Sequence, residues 1–213
     1  MQVLTNGTFD AGVSGWTSFV TSNGTITDPP SPPVGTPTSE QATTVSFDVT
    51  GSGASNALFL NAGGRSFTGT QQGGGVTQTF STLGGIATFT ADIAAWTRSN
   101  SLGIGLLSVL LDGVLMDSHD FGNADGTVGG ITLRSVLGFT TELSAGSHTL
   151  TLLATRGYAP ASGVTHQYFD NVSLDVAQTP LPAALPMFIS GLGVVGALWR
   201  RNRKKAQAAS AAA

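Results

Sequence analysis

The chain ends in nineteen uncharged residues, positions 181–199, followed at once by a basic cluster. A helix of this length covers about 28 Å at 1.5 Å per residue, close to the ~30 Å hydrocarbon thickness of a bilayer. Trp199 closes the run where interfacial aromatic side chains are enriched. We therefore predict one transmembrane helix at residues 181–199. The alternative, a buried helix of a soluble protein, would normally show a polar face.

The residues after Trp199 predict the orientation of this helix. The basic stop consists of Arg200, Arg201, Arg203, Lys204 and Lys205. Because positive residues stay on the cytoplasmic side, residues 200–213 are predicted to form a cytoplasmic tail, with the rest of the chain outside. Residues 1–199 contain four basic and twelve acidic residues, a net charge of −8. An acidic body repels phosphate backbones, so we predict no nucleic-acid partner.

A short proline motif stands directly before the apolar run. The order Pro180-Leu181-Pro182, apolar helix and basic terminus, in "TPLPAALPMFISGLGVVGALWRRNRKK", resembles the PEP-CTERM sorting signal of Gram-negative bacteria, with Leu in place of the central Glu. The resemblance implies an exosortase-type membrane transpeptidase as partner and cleavage near Pro180, Leu181, Pro182 and Ala183. It also implies delivery to the cell envelope or extracellular matrix.

The start of the sequence bears on export. An exported protein needs a signal peptide with a basic region and an apolar region, and "MQVLTNGTFDAGVSGW" has neither. Either the true start codon lies upstream or the sequence has been trimmed, and we expect the first. The resemblance to the sorting signal further implies a structural or adhesion role in exopolysaccharide and biofilm.

Residues 1–176 show the period-two alternation of β-strands, and residues 177–180 link them to the apolar run. In "ATFTADIAAWT", Phe89 and Ile93 share one face, with Asp92 and Trp96 on the other. The chain is only 10% charged and has 29 glycines, which suits strands joined by many turns. We predict an all-β fold, an antiparallel β-sandwich of the jelly-roll type.

Two segments of this body have a less regular pattern. "SLGIGLLSVLLDGVLM" is too short to span a membrane, and Asp112-Gly113 is a hairpin signal, so two buried strands are predicted there. The glycine-rich "TGTQQGGGV", residues 68–76, predicts a flexible connection. Trp16, in "GVSGWT", is predicted to be a core residue.

The two ends of the body carry a second resemblance. "LTNGTFDAGVSGWT" and "YFDNVSLDV", about 160 residues later, are similar to the bracketing motifs of jelly-roll modules related to carbohydrate-binding domains. The resemblance implies that the first and last strands are adjacent and share a structural calcium ion.

The residues themselves also raise the question of a metal. Strict alternation places Asp170 on the same face as Tyr168, Val172, Leu174 and Val176. A carboxylate facing the core is costly unless it is paired or bound to metal, and residues 1–64 contain no basic residue.

We therefore predict one structural calcium, a cation that takes carboxylate and carbonyl oxygens. Its ligands would be Asp10 and Asp170, with backbone carbonyls around Asn6 and Gly7. The alternative places Asp170 at the rim, hydrogen-bonded to backbone N–H groups.

No catalytic motif is visible. His119, His148 and His166 are isolated, and neither H-E-x-x-H nor G-x-S-x-G occurs. Glu40 and Glu142 are the only glutamates, so a glycosidase pair would have to come from aspartates. The chain also has no cysteine, which excludes disulfides and thiol nucleophiles. We predict that the protein is not an enzyme.

Sugar binding is the alternative function. Exposed aromatic faces stack on the C–H surface of pyranose rings, while polar groups bond to the hydroxyls. Trp96 lies opposite the core face, Arg98 follows two residues later, and Tyr158 would join from a loop. These three residues are the predicted glycan-binding set, although a Trp in a strand is more often packed. The two hypotheses are thus a matrix or adhesion protein of the envelope and a carbohydrate-binding module with a defined ligand.

Overall fold

The computed structural model describes residues 1–27, 40–66, 69–98, 103–124, 130–157 and 165–178. Within these ranges all regular structure is β, in twelve strands. They are β1 Thr17–Val20, β2 Gly24–Thr25, β3 Thr43–Phe47, β4 Ser55–Leu60, β5 Gly63–Gly64, β6 Gln72–Thr82, β7 Gly85–Thr97, β8 Leu106–Leu111, β9 Val114–Asp120, β10 Ile131–Leu143, β11 Gly146–Arg156 and β12 Thr165–Ala177.

Ten of the strands form two five-stranded antiparallel sheets. Sheet I has the order β1-β6-β11-β8-β9 and sheet II the order β10-β7-β12-β4-β3, while β2 and β5 pair separately. Consecutive strands often change sheet, as from β6 to β7 and from β10 to β11, so their inner faces enclose one core. The predicted all-β antiparallel sandwich is confirmed. Its connectivity is consistent with a jelly roll.

The described ranges contain no helix with the length and apolar character to cross a membrane. The predicted span, residues 181–199, lies outside them, as do the predicted linker from residue 179 onward and the basic tail. The first structural unit of the chain is Met1–Ala177.

The core lies between the sheets, and β7 shows how the sequence builds it. Phe89 and Ile93 are fully buried in the main core, with the inward alanines between and beside them. Asp92 and Trp96 occupy the opposite face, as alternation predicts. Trp16 is also a core residue, and its indole N–H donates to the carbonyl oxygen of Asn6. Both predictions are confirmed.

The glycine-rich segment is part of a strand, and the predicted flexible connection is wrong. Gly73, Gly74 and Gly75 belong to β6 and pair with β11, and Gly74 and Gly75 also pair with β1. A Cβ at Gly75 would collide with the carbonyl oxygen of Leu152, and one at Gly73 with that of Ala154. Glycine is therefore required here for close backbone approach rather than for flexibility.

The hairpin predicted at Asp112-Gly113 is confirmed, but only one of its strands is buried. Both turn residues have positive φ, 51° and 80°, as a two-residue hairpin turn of this kind requires. β8 is buried in sheet I, whereas β9 lies at its edge with Val114 63% and Leu115 57% exposed. The apolar sequence of β9 thus does not make it a core strand.

A β-bulge in β12 changes the faces predicted for the last strand. The register shifts between Asp170 and Ser173, and Asn171 adopts a positive φ of 49°. Phe169 and Val172 both face the main core, while Tyr168 and Asp170 face the outside of sheet II. The prediction that Asp170 shares a face with Val172 is wrong, because a bulge inserts a residue and reverses the alternation.

The N-terminal segment pairs with the end of β12. The N–H of Val3 donates to the carbonyl oxygen of Leu174 at 3.0 Å, and the N–H of Val176 donates to that of Met1 at 2.9 Å. Gln2 and Asp175 form an antiparallel bridge. The first and last segments of the domain are therefore adjacent, as the second resemblance implies.

Candidate functional site

The outer face of sheet II carries a group of aromatic side chains, here called the aromatic surface. Its members occupy positions that alternate with core residues and so point away from sheet I. They are Phe47, Phe59, Trp96, His166 and Tyr168. Strand pairing brings them together, because Trp96 is opposite His166 and Phe59 is opposite Tyr168.

The rings pack on one another in a defined order. The indole of Trp96 stacks on the imidazole of His166, with centroids 5.2 Å apart and planes 21° from parallel. Phe59 meets His166 edge-on at 4.8 Å. Trp96, His166 and Phe59 are all partly exposed. These three rings form the part of the aromatic surface around Trp96.

Tyr168, which is buried, and Phe47, which is partly exposed, form a stacked pair beside these rings. Their rings stack at 3.8 Å and are 3° from parallel. Burial raises the pKa of the Tyr168 phenol, so this group stays neutral at physiological pH. This pair is therefore an uncharged, rigid support for the rings around Trp96.

A glycine fixes the position of Trp96. Gly130 stands directly before β10, with a positive φ of 88°. A Cβ at this position would lie 2.6 Å from Nε1 of Trp96 and 2.9 Å from two of its ring carbons. The edge of the indole thus rests against the Gly130 backbone, while His166 stacks on its face.

The turn between β3 and β4 lies across the outer face of sheet II and is called the cross-face loop, residues 48–54. Asp48 Oδ1 accepts hydrogen bonds from the N–H groups of Gly51 and Gly53, which tighten the loop. Arg134, on the opposite edge strand β10, donates to the Asp48 carbonyl oxygen and lies 3.2 Å from its carboxylate.

Val49 anchors the cross-face loop from below. This side chain is only 1% exposed and packs on Ala57, Ala94 and Tyr168 at the centre of the sheet. Because Ala94 and Trp96 are alternate residues of β7, the loop lies beside the exposed rings. The loop therefore rises above the face of the sheet along one side of these rings.

The predicted glycan-binding residues divide between described and other parts of the chain. Trp96 is in the aromatic surface, and Arg98 is exposed immediately after β7, two residues beyond Trp96. Tyr158 lies outside the described residues. The sequence prediction did not include Phe59 and His166. Alternation within each strand indicates that both side chains face outward, but only the pairing of the strands places them beside Trp96.

Of the predicted metal ligands, Asp170 lies on β12 opposite Asp92 of β7, whereas Asp10, Asn6 and Gly7 belong to the N-terminal segment. Asp170 is 1% exposed; its carboxylate accepts from the Ser55 hydroxyl at 2.5 Å and from the Asn171 N–H at 2.7 Å. Burial, and then the nearby carboxylates of Asp92 and Asp10, raise the pKa of the Asp170 carboxyl. A cation would relieve this repulsion, so the carboxylates fit calcium in charge and chemistry.

The carbonyl oxygens assigned to the metal already have partners. Gly7 O accepts from the Val172 N–H at 2.9 Å, and Asn6 O accepts from Phe9 and Trp16. The Asn6 side chain holds the turn that follows it. In the described part of the chain no three His, Asp or Glu side chains are arranged to hold a metal. A calcium site here would therefore depend on Asp10 and Asp170, with second lone pairs from the carbonyl groups.

The other polar groups considered for catalysis have separate contacts. His148 Nδ1 lies 2.7 Å from Asp112 Oδ2, and its Nε2 lies 3.0 Å from the Ser144 carbonyl oxygen. His119 contacts the Ser135 hydroxyl at 3.3 Å. Glu40 is buried, with Oε1 2.5 Å from Arg65. The expectation that the protein is not an enzyme stays a prediction.

The sorting motif at residues 180–183 and the basic stop lie outside the described residues. Their assignment depends on the sequence pattern alone.

Comparisons with known proteins give similarity only among solved structures. No protein-family model matches the chain, and no curated protein matches it. A family 61 carbohydrate-binding module in complex with β-1,4-galactotriose is 12% identical, with a TM-score of 0.45, covering 83% of this chain and 99% of that one. A cyclase from Fischerella sp. TAU is 11% identical, with a TM-score of 0.47 and coverages of 84% and 99%. A family 16 carbohydrate-binding module is 15% identical, with a TM-score of 0.37 and coverages of 81% and 99%. What this domain binds must therefore be inferred from its own residues.

Proposed function

We propose that this protein is an exported component of the cell envelope or extracellular matrix whose jelly-roll domain binds polysaccharide through the aromatic surface. The observation that supports this most directly is the partly exposed group of Trp96, His166 and Phe59 on the outer face of sheet II. Soluble proteins rarely place several large rings together on a sheet face without a partner for them.

The geometry suits a sugar chain better than a small apolar ligand. Trp96, His166 and Phe59 lie on three neighbouring strands, β7, β12 and β4, which extends the surface over about 10 Å. An extended, shallow surface of rings matches the alternating apolar faces of successive sugars. The cross-face loop, which includes Asp48, places exposed backbone groups and a carboxylate beside this surface, and these groups can bond to hydroxyl groups.

The test is binding of the purified full chain, in mild detergent, to a glycan array and to polysaccharides in affinity gels. We expect saturable binding that weakens at least about tenfold in Trp96→Ala, because a central aromatic anchor supplies a large part of a binding energy. Trp199→Ala, in the predicted membrane segment, is the matched control and should bind normally. Binding unchanged in Trp96→Ala would contradict the proposal.

The second part of the proposal concerns the route to the cell surface. The order of proline motif, apolar run and basic stop supports a C-terminal sorting signal, a transmembrane helix at residues 181–199 and processing by an exosortase-type transpeptidase. In a host with such an enzyme, Pro180→Ala combined with Pro182→Ala should abolish the shortened product. Pro186→Ala is the control. Full-length protein found free in the cytosol would contradict this part.

The matrix or adhesion role follows if both parts hold. A domain that binds polysaccharide and is delivered to the envelope would link the cell surface to its exopolysaccharide. The calcium ion expected near Asp10 and Asp170 would hold the N-terminal segment against β12 and would take no part in sugar binding.

A further inference from the structure

The arginines of the domain differ sharply in what they contact. Three of the four that precede the tail are engaged within the fold. Arg65 lies 2.5 Å from the buried Glu40 carboxylate, and Arg134 is tied to Asp48. Arg156 is buried and donates to the Thr165 hydroxyl, and burial lowers its pKa to about 10, so it remains charged at neutral pH.

Arg98 is the exception among the described residues. It is exposed and has neither a hydrogen-bond nor an ion-pair partner in the described part of the chain. With a net charge of −8, residues 1–199 offer many carboxylates that could pair with this guanidinium. The position of Arg98 relative to the aromatic surface therefore decides what it can bind.

That position is next to the aromatic surface. Trp96 is the last residue but one of β7, and Arg98 follows directly after the strand, so their Cα atoms are about 7 Å apart. This separation suits one sugar ring that stacks on the indole and directs a substituent toward the guanidinium.

The carboxylates of this face are either paired or farther away. Asp48, in the cross-face loop, forms an ion pair with Arg134. Asp92 is four residues from Trp96, about 13 Å along β7, and the cross-face loop lies between them. This distance exceeds the Debye length of about 8 Å at physiological ionic strength. The negative groups around Asp170 therefore do not cancel the positive charge beside Trp96.

We infer that the aromatic surface binds an acidic polysaccharide, with Trp96 stacking on a sugar ring and Arg98 binding the carboxylate of a uronic acid or a similar acidic substituent. This inference rests on the proposed function. The planar guanidinium matches a carboxylate with two parallel N–H···O bonds. The acidic remainder of the domain repels a polyanion elsewhere, which confines its binding to this position.

The experiment compares matched polymers on the full chain. The probes are polygalacturonate, alginate and hyaluronate, each beside its carboxyl-reduced form, which keeps the backbone and loses the charge. We expect at least one polyuronate to bind on the order of tenfold more tightly than its reduced form, the effect of one charge-assisted hydrogen-bond pair. Arg98→Gln should remove this preference, and Arg98→Lys should retain part of it.

Ser81→Asp is the matched control for net charge. Ser81 is exposed on β6, in the other sheet, and this change lowers the net charge by one unit as Arg98→Gln does. It should leave the preference intact. Melting temperatures of the variants should be close to that of the parent, because Arg98 is exposed and forms no hydrogen bond or ion pair within the described residues.

The outcomes separate the inference from the proposed function. If reduced and acidic polymers bind equally, and Trp96→Ala weakens both, the acidic ligand class is wrong and sugar binding stands. If Arg98→Gln leaves a real preference unchanged, the role of Arg98 is wrong. If none of the polymers binds, and the glycan array is also blank, both the inference and the proposed function fail.

Discussion

Trp96 owes its orientation to two neighbours. The backbone of Gly130 lies at the indole edge, and the His166 ring lies on the indole face. A side chain fixed in this way loses little conformational entropy on binding, which favours affinity. Small changes at these neighbours should therefore affect the proposed polysaccharide binding through the position of Trp96.

Gly130→Ala tests this support. The added Cβ would meet the indole at 2.6 Å at a backbone φ of 88°, so Trp96 must move and the turn is strained. We expect a loss of stability of about 1–3 kcal/mol and weaker polysaccharide binding, measured by urea unfolding and affinity gels. Gly12→Ala is the control: its φ is 65° but the space around it is open, so it should lose stability without losing affinity.

The contact between His148 and Asp112 makes stability depend on pH. The carboxylate of Asp112, and then the Ser144 carbonyl oxygen, raise the pKa of the His148 imidazole above 6.5. The same contact, with the Thr149 N–H, lowers the pKa of the Asp112 carboxyl below 3.8. The His contribution is complete below pH 6.5 and is lost as pH rises through the raised pKa. The Asp contribution is complete above pH 3.8 and is lost as pH falls through the lowered pKa.

His148→Gln should therefore lower the free energy of unfolding most between about pH 4 and pH 6.5, where both groups are charged in the folded protein. Because Asp112 is half-exposed, we expect a loss of about 1 kcal/mol at pH 5 and a smaller loss at pH 9. Urea unfolding at both pH values measures it. A loss of the same size at pH 5 and pH 9 would show that packing against Phe80, rather than charge, sets the effect.

Asp170 gives a test of the calcium proposal. Burial raises the pKa of its carboxyl, so the ionised group costs stability at pH values above that raised pKa, and Asp170→Asn removes the cost. In a chelator we expect the variant to melt at the same temperature as the parent or higher. In millimolar calcium the melting temperature should rise for the parent and not for Asp170→Asn. Glu142→Gln, an exposed carboxylate-to-amide change, should respond like the parent; a parent unaffected by calcium would exclude the ion.

At the scale of elements, the cross-face loop joins the two edges of sheet II. Its tie to Arg134 is exposed and contributes little free energy, whereas Val49 is buried in the centre of the face. Val49→Ala should cost about 2 kcal/mol of unfolding free energy and also weaken polysaccharide binding, because the loop lies beside Trp96. Val45→Ala, a valine 36% exposed in the neighbouring strand β3, should change both by much less.

The strands also show which elements the sequence predicts and which it does not. In β7 the alternation of Phe89, Ala91 and Ile93 assigns both faces correctly, because the strand is regular along its length. In β12 the same reasoning fails at Asp170, since a bulge depends on its pairing with β7 and leaves no local signal. β9 was predicted to be buried because apolar composition does not distinguish an edge strand from a central one.

For the whole molecule, the fold class followed from alternation, low charge and turn residues, whereas the candidate site depended on strand order. Pairs such as Trp96 with His166 and Gln2 with Asp175 join residues that are far apart in sequence. A single sequence contains no record of such pairings. It therefore indicated Trp96 and Arg98 as candidates but not the rings around them or the loop at their side.

The two ends of β12 have different neighbours. His166 stands near its start, beside Trp96, and its far end meets Met1 through hydrogen bonds at Val176. Eleven residues separate His166 from Ala177, about 35 Å of strand. Met1 and Ala177 therefore lie at the end of sheet II away from Trp96 and His166. Under the proposed function, a glycan that binds at Trp96 would contact the end of the domain opposite Met1.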